Sequence, residues 1–406
     1  MRLEHCIRRW LGLKSHYVRK VEETAEGVVA EIVEVGNHLP RCGHCGQRVG
    51  RTKGRMPARR WRDLKLRDRP LILTYSPRRV VCPSCGVRVE KVPWAEPYSR
   101  VSKGLALAVA VLAREASLSA VAGHYGINWK TVASILHQVV VWGLKRRRRK
   151  RLRVIGLDEV SRKKGHRYLT LVYDLERGEL VWVGKDRTKE TVESFFDELG
   201  ERGCKSLEAV SMDMWRPYID TVKARAGQAT ICFDRFHVVQ HLNMAVDEVR
   251  REQVRKLAGP ERYLVKGTRF VLLKNPWNLS PTQKQSLTAL VRGNSPLSRA
   301  WYLKEDFQRF WEYLAEWPGE RHLRKWLWWA SHSRLEPFQR LARMIREHID
   351  GILAWTAMRI SNGALEGMNN KVKLVSHRSF GFRNDQRYIE AIYHNCGNLP
   401  LPEDWK

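Results

Sequence analysis

Three aspartates close otherwise apolar, strand-like stretches of this chain. Asp158 follows Val154-Ile155-Gly156-Leu157, Asp213 follows Leu207-Glu208-Ala209-Val210-Ser211-Met212, and Asp234 follows Thr230-Ile231-Cys232-Phe233. Carboxylates at the strand ends of one sheet can converge on a divalent cation, and two Mg²⁺ ions ~4 Å apart can carry phosphodiester chemistry. A strand-end Asp can also be simply the N-cap of the next helix. A further carboxylate, Glu366, lies in Ser361-Asn362-Gly363-Ala364-Leu365-Glu366-Gly367-Met368-Asn369-Asn370-Lys371-Val372-Lys373. Helical spacing puts Leu365, Met368, Val372 and Val375 on one face and Asn362, Glu366, Asn369 or Asn370, and Lys373 on another. Glycine and asparagine are poor helix formers, so ordinary helix stability does not explain the segment. Small and amide side chains around one carboxylate suit close approach by a phosphate backbone, with Lys373 placed to hold it.

A second constellation is metal-binding in type. Cys42-Gly43-His44-Cys45-Gly46 and Cys82-Pro83-Ser84-Cys85-Gly86 are similar knuckles separated by 36 residues. Tetrahedral Zn²⁺ takes four thiolate or imidazole ligands, and each C-x-x-C turn offers two sulfurs. The Gly after each second Cys suits the left-handed turn required. A redox dithiol is expected once, at a helix N-terminus, and that context is absent. Cys42, Cys45, Cys82 and Cys85 are therefore the expected ligands of a structural zinc, with His38 and His44 as possible substitutes. The intervening segment holds Arg51, Lys53, Arg55, Arg59, Arg60, Arg62, Lys65, Arg67 and Arg69, a basic ribbon suited to phosphate.

The elements that must position these groups are legible in outline. Strands are expected at Val154–Asp158, Tyr168–Asp174 and Leu180–Gly184, the last two joined by a hairpin turn at Glu176-Arg177-Gly178-Glu179. Then follow a helix (Thr188–Leu199), a strand (Leu207–Asp213), a helix (Arg216–Ala226), a strand (Thr230–Asp234) and a Trp-rich helical stretch to about residue 355. Two more helices, separated by Ser379-Phe380-Gly381-Phe382, complete the tail. Upstream, Ser117 caps a short helix with Leu118, Val121 and Ala122 inward. Gly126 turns, Ile127 plugs the core, and Asn128 caps a second helix striped by Val132, Ile135, Leu136 and Val139. This is a helix-turn-helix, with Trp129, Lys130, Ala133, Ser134 and His137 left for the exposed side. Asn128, Trp129, Lys130 and Ser134 are the expected DNA readers. Arg146, Arg147, Arg148 and Arg149, in a run of seven cations, are expected to follow phosphates.

Composition agrees. The 406 residues carry 74 Lys and Arg against 43 Asp and Glu, a net charge of +31. Residues 1–153 hold 33 basic and 11 acidic side chains, a net +22, which leaves +9 for the remainder. Such an excess points to a polyanion, nucleic acid first. Sixteen Trp, twelve Tyr and ten Phe exclude a disordered chain. The longest apolar run, Leu105–Ala113, is nine residues, short of the ~20 that span a membrane. With no signal-peptide pattern at the start, a cytoplasmic, nucleoid-associated location is expected.

The element order of the body resembles the ribonuclease-H-like fold, whose first acid lies on strand one and second on strand four; Asp158 and Asp213 occupy those places. Together, the cysteine pairs, Gly156-Leu157-Asp158-Glu159, Asp213-Met214-Trp215, Asp234-Arg235-Phe236-His237 and the Ser361–Lys373 helix resemble bacterial insertion-sequence transposases of the DDE type, ISL-three group. The resemblance implies a multi-domain α/β protein: a zinc ribbon (1–100), a helix-turn-helix and basic linker (101–150), and a ribonuclease-H-like domain (151–243 and 356–406) interrupted by an all-α insertion (244–355). It implies Asp158, Asp213 and Glu366 as ligands of Mg²⁺ or Mn²⁺, with Asp234 and His237 as an accessory element. Strand alternation points Glu159 away from Asp158 and leaves it outside the triad. The implied activity is binding of double-stranded DNA at terminal inverted repeats, cleavage of the ends and transfer of the 3′-OH to target DNA, in a homodimer or larger synaptic assembly. The alternatives are a zinc-dependent transcriptional regulator that does not cleave and a structure-specific nuclease such as a junction resolvase.

Overall fold

The computed structural model describes residues 2–148, 151–163, 167–359 and 363–405. Arg149, Ser361, Asn362 and the side chain of Leu365 lie outside the described residues. The chain forms two compact units, residues 1–148 with 374–406, and residues 149–373.

The first unit opens with α1 (Leu3–Trp10), β1 (His16–Thr24), β2 (Gly27–Glu34), β3 (Thr52–Arg55), β4 (Arg59–Leu66), β5 (Arg69–Tyr75), β6 (Arg78–Cys82) and β7 (Gly86–Val89). A sheet of order β1-β2-β5-β4 buries Ile32, Trp61, Leu73 and Tyr75 against Ile7 of α1 and Trp94. The sequence shows the strand-like Gly27–Val35 that becomes β2, but not its pairing in a sheet of its own, because the other strands are interleaved with the knuckle segments. Three of the nine cations from Arg51 to Arg69 are engaged by glutamates of β1, β2 and their turn: Arg55 with Glu34, Arg60 with Glu26 and Arg69 with Glu23. The ribbon is therefore less open to phosphate than its composition suggests.

The second sheet, β3-β6-β7, carries Cys82 and Cys85 at its β6–β7 turn, and Cys42 is bridged to Glu90 just beyond β7. Gly46 and Gly86 adopt φ of +75° and +71°, the left-handed turns expected of the knuckles. The backbone N–H of Gly43 donates to the Val89 carbonyl at 3.0 Å, and a Cβ at Gly43 would lie 2.4 Å from that oxygen. The first knuckle is thus pinned to β7 at a position where only glycine fits. The four sulfurs lie within 4.8 Å of one another, with Cys45 and Cys82 3.6 Å apart. Zn–S bonds of ~2.3 Å in a tetrahedron require sulfurs ~3.8 Å apart, so the quartet fits zinc. No histidine joins it among the described residues. Backbone N–H groups of Cys45 and His44, acting against burial, hold the Cys42 thiol down to about 7.

α2 (Lys103–Leu112), α3 (Leu118–Tyr125) and α4 (Trp129–Arg146) follow. Ser102, Ser117 and Asn128 accept N-cap bonds from Leu105, Ala120 and Lys130, and Gly126 closes α3 at φ +62°. Val121, Val132, Ile135, Leu136 and Val139 form the shared core. The C-terminal helix (Asp385–Cys396) packs on α4, and Trp405 enters the same core. His394 donates to the Ala110 carbonyl at 2.7 Å, and Leu399 sits so close to Gly143 that a Cβ there would lie 2.9 Å away. These contacts place residues 374–406 with the helix-turn-helix, whereas the expected boundaries put all of 356–406 with the sheet bearing the aspartates.

The second unit contains β8 (Val154–Lys163), β9 (Arg167–Asp174), β10 (Glu179–Lys185), α5 (Lys189–Lys205), β11 (Ala209–Met212), α6 (Arg216–Arg225), β12 (Thr230–Phe233) and α7 (Arg235–Lys256). Its sheet has order β10-β9-β8-β11-β12, with the first three antiparallel and β11 parallel to both neighbours. That is the ribonuclease-H-like order. After it come α8 (Gly259–Val265), α9 (Arg269–Leu273), α10 (Pro281–Gly293), α11 (Ser295–Gln308), α12 (Glu316–Ser331), α13 (Glu336–Glu347), α14 (Ile349–Met358) and α15 (Gly363–Arg378). One continuous apolar core runs from Leu152 to Leu353 through sheet and helices alike, so no break in packing marks the expected boundary at 243–244. Gly351 of α14 lets Phe233 of β12 approach to 2.4 Å of where a Cβ would stand. Trp311 and Trp326 are buried, while Trp317 and Trp328 are largely exposed. Among the described residues no helix is long and apolar enough to cross a membrane.

Cys82→Ser, or chelation, should remove close to one Zn²⁺ per chain and unfold β3, β6 and β7; metal analysis and hydrogen exchange read this, and full retention of zinc would contradict the site. Burial holds His16 and His394 down to about 4, against ~6.5 when unfolded. The unfolded chain therefore binds more protons between those values, and stability should be lost as pH falls from 6.5 towards 4. Urea unfolding at pH 7 and 5 measures it, and His394→Gln should flatten the slope.

Candidate functional site

Strand register explains how the aspartates meet. Ser211 of β11 pairs with Gly156 of β8, and Met212 pairs with Phe233 of β12. Continued by one or two residues, both registers set Asp158, Asp213 and Asp234 in one row across neighbouring strands, which lie ~4.8 Å apart. Asp158 lies within β8, so it is no helix cap. Burial holds its carboxyl above the ordinary range, against hydrogen bonds from the Glu159 N–H and Asn369 and the nearby His237 charge, while Asp213 adds to the rise. Asp234 instead caps α7 by accepting from the Phe236 N–H at 2.6 Å, with His237 Nε2 3.9 Å from its other oxygen.

Helix α15 reaches this row through Asn369. Its Nδ2 donates to Asp158 Oδ2, and its Oδ1 accepts from the Tyr173 hydroxyl at 2.8 Å. Glu366 is exposed three residues earlier, one helical turn away on the same face. Val372 and Val375 are buried as the spacing required, and Asn370 and Lys373 are exposed. The polar face therefore divides, with Asn369 buried against the sheet. Among the described residues only the cysteine quartet places three or more ligand atoms within metal distance, so Asp158, Asp213 and Glu366 do not form a closed cluster.

A residue missed by the sequence reading completes the surroundings. Arg187, in the loop between β10 and α5, donates to Asp213 Oδ2 at 2.9 Å and pairs with Glu159 Oε1 at 2.9 Å. Its guanidinium stacks 4.6 Å over the Trp215 ring. Glu159, set aside as pointing away, is linked to Asp213 through this arginine. Burial raises its carboxyl against the Arg187 charge and a Tyr218 hydrogen bond. His241 and His348 also feel the Asp213 charge, though burial lowers both. No spacing rule could have found Arg187, because its partners are 28 residues before it and 26 after.

On the helix-turn-helix, Asn128, Trp129, Lys130 and Ser134 are exposed. The Asn128 side chain is engaged as a cap, which leaves Trp129, Lys130 and Ser134 outward. Two expected members of that face are engaged by the C-terminal helix, Ala133 by burial and the exposed His137 by an ion pair. Ala133 is buried with its carbonyl bonded to Arg387 at 2.7 Å, and His137 pairs with Glu390 at 2.7 Å. The C-terminal helix could not be placed there by local pattern. Arg146 stacks 4.2 Å over Trp142, and Arg148 is exposed.

Comparison with known proteins agrees with this architecture. A family model described as transposase, of the ISL3 type, matches residues 155–392. The helix-turn-helix domain of transposase family ISL3 matches residues 90–140, and the zinc-finger of transposases IS204, IS1001, IS1096 and IS1165 matches residues 38–85. The transposase for insertion sequence element IS1001 of Bordetella parapertussis is 30% identical over 86% of each chain. The transposase for insertion sequence element IS1557 of Mycobacterium tuberculosis is 33% identical over 92% of this chain and 89% of the relative. Zinc ribbon, helix-turn-helix and ribonuclease-H-like sheet thus occur here in the order and at the positions matched, and the chain belongs to the ISL3 family of insertion-sequence transposases.

Proposed function

We propose that this transposase binds the terminal inverted repeats of its element, cuts the DNA at those ends and joins the freed 3′-OH to target DNA. The observation that carries the reading is the register that sets Asp158 and Asp213 side by side, with Asn369 of α15 bonded to Asp158 one turn from Glu366. Hard carboxylate oxygens at adjacent strand positions fit Mg²⁺ or Mn²⁺, and Asp158, Asp213 and Glu366 are the residues that would hold it. Bound there, the metal supplies charge stabilisation at the scissile phosphate. Asn369, itself oriented by Tyr173, fixes the Asp158 carboxylate. Arg187 holds Asp213, and His237, anchored beside Asp234, faces the same row. Lys373, exposed two turns beyond Glu366, contacts the DNA backbone. Trp129, Lys130 and Ser134 read the end sequence, with Asn128 capping their helix and Arg146 to Arg149 along the phosphates. Two ends must be brought together, so a homodimer or larger assembly is the working form.

The test uses a plasmid carrying the DNA that flanks the gene, incubated with Mg²⁺ or Mn²⁺. Asp158→Asn, Asp213→Asn and Glu366→Gln should each lower end cleavage by roughly a thousandfold or more, a loss of about 4 kcal/mol in barrier terms, while end binding by mobility shift is kept. Cleavage retained by Asp213→Asn would sink the assignment. Wild-type binding without cleavage would favour the regulator reading. Trp129→Ala with Lys130→Ala should weaken end binding by about tenfold or more at unchanged melting temperature, since both side chains are exposed.

A further inference from the structure

A cleft of about 750 Å³ opens in the first unit between the zinc-bearing sheet and the four-stranded sheet. Its walls include Arg59 of β4, Arg88 of β7 and Lys91. Two acidic residues also border it, and both are engaged elsewhere. Glu90 accepts from Tyr75 at 2.7 Å and pairs with Arg78, while Glu96 pairs with Lys103 at 3.2 Å. Among the described residues Arg59, Arg88 and Lys91 have no acidic partner, so the cleft is cationic in effect.

Tyr98 stands on its rim, fully exposed at 100%. The Ser99 N–H donates to the Glu96 carbonyl at 3.0 Å across Pro97-Tyr98, and Tyr98 has φ +62°. That is a turn with proline at its second position and a left-handed third position, where glycine is the favoured residue. Here the position holds a large aromatic whose ring is open to solvent. Neither backbone preference nor packing accounts for a tyrosine there. An exposed aromatic ring set on a hydrogen-bonded turn beside cations without acidic partners matches nucleic acid, which offers phosphates to the cations and flat base edges or faces to the ring.

We propose that this cleft is a second DNA-contact site, distinct from the recognition helix. Arg59, Arg88 and Lys91 hold the backbone of the end duplex, and Tyr98 packs its ring against the bases in the adjacent groove. The inference rests on the proposed binding of element ends. It adds a contact by which the knuckle segment senses the shape of the duplex.

Tyr98→Gly is a favourable test because glycine suits the turn, so melting temperature should stay equal or rise. Binding is measured by fluorescence anisotropy on a duplex of the inverted repeat flanking the gene and on a scrambled duplex of equal length, over a range of salt. Tyr98→Gly should weaken end binding by about tenfold with its salt dependence unchanged. Arg59→Gln and Lys91→Gln should each reduce the slope of log K against log salt by about one. Tyr98→Gly binding as tightly as wild type, while wild type still prefers the end duplex, overturns the cleft alone. Wild type showing no preference overturns the end-binding reading and the cleft together.

Discussion

A half-buried carboxylate on a strand of an apolar sheet needs donors, and the Asp158 carboxylate obtains one from 211 residues away. Its partners are the Glu159 N–H and the amide of Asn369, whose carbonyl end is fixed by Tyr173. Because Tyr173 donates to the Asn369 oxygen, the amide nitrogen is left to face Asp158. Burying either carboxylate or amide alone would be unfavourable. Together the three groups form a satisfied polar chain across β8, β9 and α15. The helices from α8 to α14 are therefore an excursion that must return to one place on the sheet, and Lys304, fully buried yet bonded to the Leu272 carbonyl and Glu305, shows how firmly that excursion is itself packed.

The same site gathers negative charge, and Arg187 is the local answer to it. Bridging Asp213 and Glu159 while stacking on Trp215, it orients one carboxylate from both polar and aromatic sides. Planar guanidinium geometry allows this, and lysine could not reproduce it. In the proposed reaction a divalent ion would share Asp213 with that cation.

The charge excess is likewise divided more finely than residue counts imply. Several arginines of the knuckle segment are neutralised by glutamates of the neighbouring strands, and what remains unpaired is concentrated at particular places, the cleft beside the zinc knuckles among them. The C-terminal helix also packs on part of α4, through His137–Glu390 and Arg387 to the Ala133 carbonyl, while Trp129, Lys130 and Ser134 stay exposed.

By itself the sequence determined what local chemistry dictates. The serine and asparagine caps, the glycine turns of the knuckles and the helix-turn-helix, the apolar strands ending in aspartate and the spacing of the cysteines all act within a few residues, so their pattern survives in the linear text. Apolar runs closing on an acid singled out Asp158, Asp213 and Asp234, because carboxylates in such strands are few. Tertiary structure decided the rest. It chose Asp234 as a cap, buried Asn369 rather than Asn370, tied Glu159 to Asp213 through Arg187, and sent residues 374–406 to the helix-turn-helix core. Except for the Asp234 cap, whose partner is two residues ahead, each of those outcomes depends on a partner tens to hundreds of residues distant, whose arrival is set by packing and by the need to satisfy buried charge, and neither leaves a periodic mark on the chain.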